Sequence, residues 1–476
     1  MATRSFDPQA ERTLRRLSWW LVAALLLLVG AGLRHHLVWG ESASMPWLPT
    51  VLNLMEGACL CGFAAVSAVV WWRAMALLDG CNVDRAKLLR LSLPILIAAI
   101  LVPCFLTADP VDYVIRGRIL SLHGGNPYRD VALDYPADPF VAFGDRGWKD
   151  MTLPYGPLVA NLQAAIAWLA NLLPVSPRIE LISALVLFKL VFAAALVGCA
   201  TVAARIAELV RPGSAAVAFV AVLWNPLLLN DCLANAHNDS LVLLCVLLAV
   251  LAAMATRFAT MVVALCLGAM TKVVPVVLGP TLFLYGLRAG KLSRLAVGSV
   301  ISAALLGAFY LQFFTEVGVG AALQRQSELK GASLWWAVHQ LTDVSLATLT
   351  TVGRALVLLW VGVCCQRLWR RPEPAELLFA TASSLLMLAV FGAALFGTWY
   401  HVWWLPLGLL LGRGYLYRAA VCVTVTSSFA YLMWASTRRF GDIAQWWIVT
   451  TGVLLPLLAA VRLPRPKLPR SAPAAT

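Results

Sequence analysis

A run of about twenty apolar residues is long enough to cross a roughly 30 Å hydrocarbon core as a helix. Such runs recur through this 476-residue chain, from Leu17 to about position 461. Lipid offers the backbone no hydrogen-bond partners, so only helices and closed barrels can span it. A barrel would show short alternating segments, and none are present. Only 13% of the residues are charged, against about 25% in soluble domains. The sequence therefore predicts an all-α integral membrane protein, a polytopic helical bundle with about 12–14 membrane helices.

The formal net charge of +14 could suggest a nucleic-acid partner. The basic residues gather instead at the ends of apolar runs, which is how membrane proteins set their orientation. The lipid bilayer is thus the expected partner, and nucleic acid is not. Arg12, Arg15 and Arg16 keep the start of the chain in the cytoplasm, and Arg73, Arg85, Lys87 and Arg90 do the same for the loop after the second span. Alternation then places the third interval, after about Leu106, on the outer face of the cell membrane. Arg438 and Arg439 are the exception, since they fall outside in this scheme. The predicted division is a cytoplasmic N-terminus (1–16), N-terminal transmembrane helices (17–106), an extracytoplasmic loop with interfacial helices (107–178), a transmembrane core (179–461) and a basic cytoplasmic tail (462–476). Most of the eleven cysteines lie inside apolar runs, without zinc-ligand spacing, and read as small buried hydrophobes.

Thr107 to Pro157 is the longest polar interval. Seven of the chain's 23 acidic residues lie in it, interleaved with Arg116, Arg118, Arg129, Arg146 and Lys149. Asp109 follows the third apolar run directly. It can cap a helix through Val111 to His123, or serve as a base near the membrane yet reachable from outside. Asp112 and Arg116 are spaced as an i,i+4 pair on that helix. Asn126-Pro127-Tyr128 and Tyr155-Gly156-Pro157 read as turns that position the loop. Residues 156–173 are apolar but short, and read as a helix lying in the interface.

Further polar stretches follow. Trp224 to Val242 contains His237, Asn238 and Asp239; His237 can be a helix-end histidine or part of a site. Met270 to Pro275 breaks an apolar segment into two short helices at Lys272. Such a break persists in a membrane only where protein or a cavity surrounds it. Lys272 can snorkel to the interface, or face an anion from a ligand or another helix. Positions 316–343 hold Gln324, Arg325 and Glu328. Trp399, Tyr400, His401 and Trp403 can stack on a substrate or form an interfacial aromatic belt. For Trp403 the belt is the expected role.

Four of these stretches carry a resemblance. Ala108-Asp109, Tyr113, Arg116-Gly117-Arg118, Gly125-Asn126-Pro127-Tyr128 and Tyr155-Gly156-Pro157-Leu158 resemble the first outer loop of bacterial polyprenyl-phosphate-mannose-dependent mannosyltransferases of the GT-C superfamily. Trp224-Asn225-Pro226 with Ala236-His237-Asn238-Asp239, Thr271-Lys272 with Pro275, and Trp399-Tyr400 with Trp404-Leu405-Pro406 are similar to the family's later motifs, in order. Arg116 stands where the family has an acidic residue, and Tyr-Gly-Pro where Tyr-Pro-Pro is commoner.

The resemblance implies a GT-C-type bundle and a glycosyltransferase that inverts configuration, with Asp109 as general base. It implies mannose carried on a polyprenyl phosphate, and a glycan or glycolipid acceptor in the cell envelope. Lys272, with Arg116, Arg118 and Arg325, would meet the phosphate. His237, Asn238 and Asp239 would meet the sugar or phosphate, Trp399, Tyr400 and His401 would flank sugar or lipid, and Asn126, Tyr128 and Tyr155 would shape the substrate site. The outer loop has no Asp-x-Asp motif and the chain has no glycine-rich phosphate cradle, in keeping with a lipid-linked donor. No cofactor is expected, and nothing in the sequence requires a metal. Two other readings stand beside this one: a flippase or transporter of lipid-linked glycan, and an envelope-glycan ligase or polymerase. A transporter would spread charged residues along both halves of a path, whereas here they gather at one face.

Overall fold

The computed structural model describes residues 4–37, 48–104, 106–145, 147–313, 329–437 and 442–462. Gln324, Arg325, Glu328, the pair Arg438–Arg439, Arg146 and the tail from 463 onward lie outside the described residues. Among the described residues nearly every element is helical. Two two-residue strands, β1 (Arg4–Ser5) and β2 (Cys81–Asn82), pair in parallel.

The helices run α1 (Pro8–Leu37), α2 (Leu48–Leu78), α3 (Arg85–Leu101), α4 (Asp109–Ser121), α5 (Pro157–Asn171) and α6 (Pro177–Val210). Next come α7 (Ala215–Leu223), α8 (Pro226–Leu228), α9 (Asp239–Met254), α10 (Phe258–Thr271), α11 (Gly279–Arg288) and α12 (Leu292–Tyr310). The last are α13 (Leu334–Leu341), α14 (Leu346–Arg370), α15 (Pro374–Phe391), α16 (Leu405–Leu410), α17 (Gly414–Thr437), α18 (Asp442–Ile448) and α19 (Leu455–Arg462). This is the all-α polytopic membrane architecture the apolar runs predict.

Among the described residues, eight helices are long and apolar enough to cross a membrane, and three more apolar helices are shorter. The expected 12–14 counts apolar segments whole or broken, and the breaks account for the short ones. Trp224 closes α7, and Asn225 caps α8 by accepting backbone N–H bonds from Leu227 and Leu228. A π-helical turn, Leu229–Ala234, follows α8. Pro275 ends α10 and opens a 3₁₀ turn, Val274–Leu278. A second 3₁₀ turn, Thr398–Trp403, separates α15 from α16. Each break exposes backbone polar groups that lipid could not satisfy. The first two are packed inside the protein, where every residue from Trp224 to Ser240 is buried; at the third, Lys272, Val274 and Pro275 are buried while Val273 and Val276 face outward.

Two close approaches position the polar interval. Gly117 lets α4 press on α5, since a Cβ there would sit 2.2 Å from the Gln163 carbonyl oxygen. At 15 residues, α5 is about 22 Å long, shorter than the hydrocarbon core. Gly156, just before α5, meets the end of α10. Its N–H donates to the Thr271 carbonyl at 3.0 Å, and a Cβ on it would lie 2.1 Å from the Met270 carbonyl oxygen. No other residue type fits there without moving backbone. Tyr155 is thereby held against the Lys272 break.

Gly156→Ala is expected to lower stability in detergent by about 1–3 kcal/mol, the usual cost of forcing extra volume into a packed site. Thermal unfolding of the purified variant measures this, and a melting temperature equal to that of the unsubstituted protein would contradict the close approach.

Candidate active site

The site begins where α3 gives way to α4. The Leu106 N–H donates to Asn235 Oδ1 at 3.3 Å, and the Cys104 thiol reaches the Ala234 carbonyl at 3.5 Å. These contacts tie the start of the polar interval to the end of the π-helical turn. Pro110 and the acidic Asp109 and Asp112 then open α4, as a helix N-terminus favours.

The cap position of α4 is Ala108, so Asp109 lies inside the first turn. Its backbone N–H donates to Thr107 Oγ1 at 3.2 Å. Its carboxylate is half-buried, and Oδ2 lies 3.5 Å from both the Tyr155 hydroxyl and His237 Nδ1. Burial disfavours the ionised form. The His237 hydrogen bond and charge and the Lys272 charge outweigh it, and hold the Asp109 carboxyl below its ordinary value. This carboxylate is ionised and unprotonated at neutral pH.

His237 is buried and stacks on Trp399, with ring centroids 4.4 Å apart. It follows Ala236, which adopts φ 51°. For a residue with a Cβ that left-handed conformation costs on the order of 1–3 kcal/mol, and such strain concentrates at functional sites. The His237 N–H donates to the Asp231 carbonyl at 2.9 Å.

Asp239 opens α9 and pairs with Lys272 at 2.9 Å, while Trp403 donates its indole N–H to the same carboxylate oxygen at 2.6 Å. Lys272 therefore does not snorkel. Its ammonium is buried, with the rings of Tyr155, Tyr400 and Trp403 5.6, 5.8 and 5.4 Å away. Tyr400 and Trp403 stack on one another at 4.4 Å. Since Tyr155 touches both Asp109 and Lys272, the two sit at one place in the fold.

Other residues singled out in the sequence have different surroundings. Arg116 is buried, with Nε on Asp112 at 3.0 Å and a second nitrogen on the Trp148 carbonyl at 2.9 Å. Arg118 binds Asp138 at 2.9 Å and Glu180 at 2.5 Å, over the Phe140 ring. Both guanidinium groups are held by protein acceptors, with Arg116 Nη1 left buried and without a hydrogen-bond partner. Asn126 Oδ1 accepts the Tyr128 N–H, and the Tyr128 hydroxyl donates to the Tyr155 carbonyl at 2.8 Å. That is the positioning role their turn chemistry suggests. His401 has both ring nitrogens engaged, Nε2 with the Gly452 carbonyl and Nδ1 with the Trp404 indole N–H. Arg325 lies outside the described residues.

The expectation for Trp403 is corrected: it is buried on Asp239 rather than set in an aromatic belt. Three neighbours of the site were not among the site residues expected from the sequence. Tyr113, one helical turn after Asp109, places its hydroxyl 3.5 Å from that of Tyr155. Asp231 is fully buried in the π-helical turn, and Thr398 reaches its Oδ2 at 3.4 Å. The spacing of Tyr113 from Asp109 was a usable signal; the π-helical turn left none.

Residues 17–288 match a family described as alpha-(1->6)-mannopyranosyltransferase, N-terminal domain. The chain belongs to this family. Mannosyl transfer is accordingly its chemistry, and the carrier of that chemistry is a multi-pass membrane protein. No curated protein matches the chain. The match takes in Asp109, His237, Asp239 and Lys272, while Trp399, Tyr400 and Trp403 of this mannosyltransferase close the site from beyond it.

Arg118→Ala is expected to destabilise the mannosyltransferase by about 3–5 kcal/mol, because Asp138 and Glu180 lose a buried cation. Unfolding in detergent tests this. Unchanged stability with a raised donor KM would instead make Arg118 a phosphate ligand.

Proposed function

We propose that this chain transfers mannose from a polyprenyl-phosphate donor to an envelope glycan or glycolipid on the extracytoplasmic face, with inversion and with Asp109 as general base. The observation carrying this reading is the partly buried Asp109 carboxylate beside the buried Asp239–Lys272 pair. Base and cation stand at one site, as single displacement at an anomeric carbon requires.

In that step the acceptor hydroxyl gives its proton to Asp109. Its oxygen bonds to the anomeric carbon as the bond from that carbon to the phosphate oxygen breaks. The electron pair of the broken bond leaves with the phosphate, which gains negative charge. Preorganised positive groups stabilise charge that develops in this way. Lys272 has three N–H donors, of which Asp239 takes one. The remaining donors and the ammonium charge are what a lipid-linked phosphate would meet. Arg116 and Arg118, paired with protein acceptors, are left out of that role.

His237 holds the base and keeps it ionised. Four buried polar atoms here have no protein partner: His237 Nε2, both polar atoms of the Asn238 amide, and Asp239 Oδ2. Each such group left alone costs about 1–3 kcal/mol. Sugar hydroxyls, which both donate and accept, suit this set, and Trp399 offers a ring face beside it. Among the described residues no group of three or more metal-ligating side chains is assembled, so no step is assigned to a metal.

Asp109→Asn is expected to cut transfer by at least about 10²–10⁴, the usual contribution of a positioned base, with yield and folding unchanged. Membranes supplied with labelled polyprenyl-phosphate-mannose, followed by mass analysis of the product, would show this and reveal the acceptor; turnover equal to that of the unsubstituted enzyme would reject the base. Lys272→Ala is expected to raise the donor KM, and an unchanged value would remove Lys272 from the phosphate site.

The acid limb of the pH profile reports the same base. Activity needs the carboxylate, so it is present above the Asp109 pKa and lost as pH falls through it. Because that pKa is held low, the limb lies below the ordinary aspartate value of about 3.9. His237→Ala removes two of the lowering influences and leaves burial, which raises the pKa. The limb in that variant should move to higher pH, and an unshifted limb would argue that His237 does not act on Asp109.

A further inference from the structure

Lys189 is a buried lysine within α6, the longest helix, and no part of the mechanism above uses it. It lies twelve residues from the start of α6, about 18 Å along the axis, among apolar neighbours such as Phe188 and Phe192. A cation at such depth is costly and is retained for a reason. Its Nζ donates to the Ile100 carbonyl at 3.3 Å and to the Val102 carbonyl. Both carbonyls belong to the last turn of α3 and its C-cap, where no following helical N–H is available to pair with them.

Pro103 stops the helix here, and the described residues on the way to Asp109, Val102 to Cys104 and Leu106 to Ala108, are not helical. Side-chain contacts hold this stretch, among them a hydrogen bond between Lys189 and the Cys104 thiol. Lys189 fixes its start, the Cys104 thiol meets Ala234, and Asn235 accepts the Leu106 N–H. Phe188, beside Lys189, packs edge-on against Tyr113 of α4, with centroids 5.6 Å apart. One short stretch of α6 therefore grips both the end of α3 and the helix that begins with Asp109.

We propose that Lys189 is a positioning residue for mannosyl transfer: by capping the broken end of α3 it aims the segment that delivers Asp109 to His237 and Tyr155. This rests on the reading of Asp109 as base. A catalytic group displaced by about 1 Å can lose on the order of 10²-fold in rate while substrate binding elsewhere is retained.

The test compares Lys189→Met, Lys189→Arg and Asp109→Asn in the purified full chain, with polyprenyl-phosphate-mannose as donor and activity expressed per folded enzyme. Lys189→Met is expected to lower kcat tenfold or more while the donor KM stays within about twofold. Lys189→Arg, which keeps the donors to the carbonyls, is expected to recover at least half of that loss on a logarithmic scale. If Lys189→Met keeps the kcat of the unsubstituted enzyme, or if kcat falls only as the folded fraction falls, the proposal is overturned. If Asp109→Asn remains active, the base reading fails on its own account, whatever the Lys189 variants do.

Discussion

Much of this structure answers to one buried ion pair, Asp239 with Lys272. Each partner stands at a break in a membrane helix: Asp239 opens α9 after the π-helical turn, and Lys272 ends α10 before Pro275. Two charges away from water cost several kcal/mol each, and only close pairing with further hydrogen bonds offsets that. The 2.9 Å contact, the Trp403 indole N–H and three surrounding rings meet the requirement. The pair in turn fixes how α9, α10 and the Thr398–Trp403 turn meet.

Around it, geometry follows from a few small allowances. Without a side chain at Gly156, the loop before α5 could not reach the α10 carbonyls, and Tyr155 could not lie between Asp109 and Lys272. Without the left-handed turn at Ala236, His237 would not follow Asn235 into its stack on Trp399. The Asp109 carboxylate is therefore held by contacts from several distant parts of the chain, each tied down by backbone as well as by side chain. A site held this way keeps its groups oriented before substrate arrives, which is where an enzyme gains most from electrostatics.

The loop between α3 and α5 divides its charged residues between two duties. Asp112 with Arg116, and Arg118 with Asp138, His123 and Glu180, build the loop. Asp109 stands apart from them, its carboxylate paired with no arginine among the described residues.

The amino-acid sequence alone determined the membrane-helical class, because apolar runs of spanning length admit few other folds. It also marked Asp109, His237, Asp239 and Lys272, because polar groups among apolar runs are rare and costly. Tertiary structure decided their partners. Nothing local joins Lys272 to Asp239, 33 residues away, or Trp403 to the same carboxylate 164 residues away. Nor could spacing tell that Arg118 is taken up by Asp138 and Glu180, that His401 is consumed in packing, or that Lys189 caps α3. An ionisable side chain declares that it needs a partner; which one it meets depends on how distant helices cross, and that is a property of the folded chain.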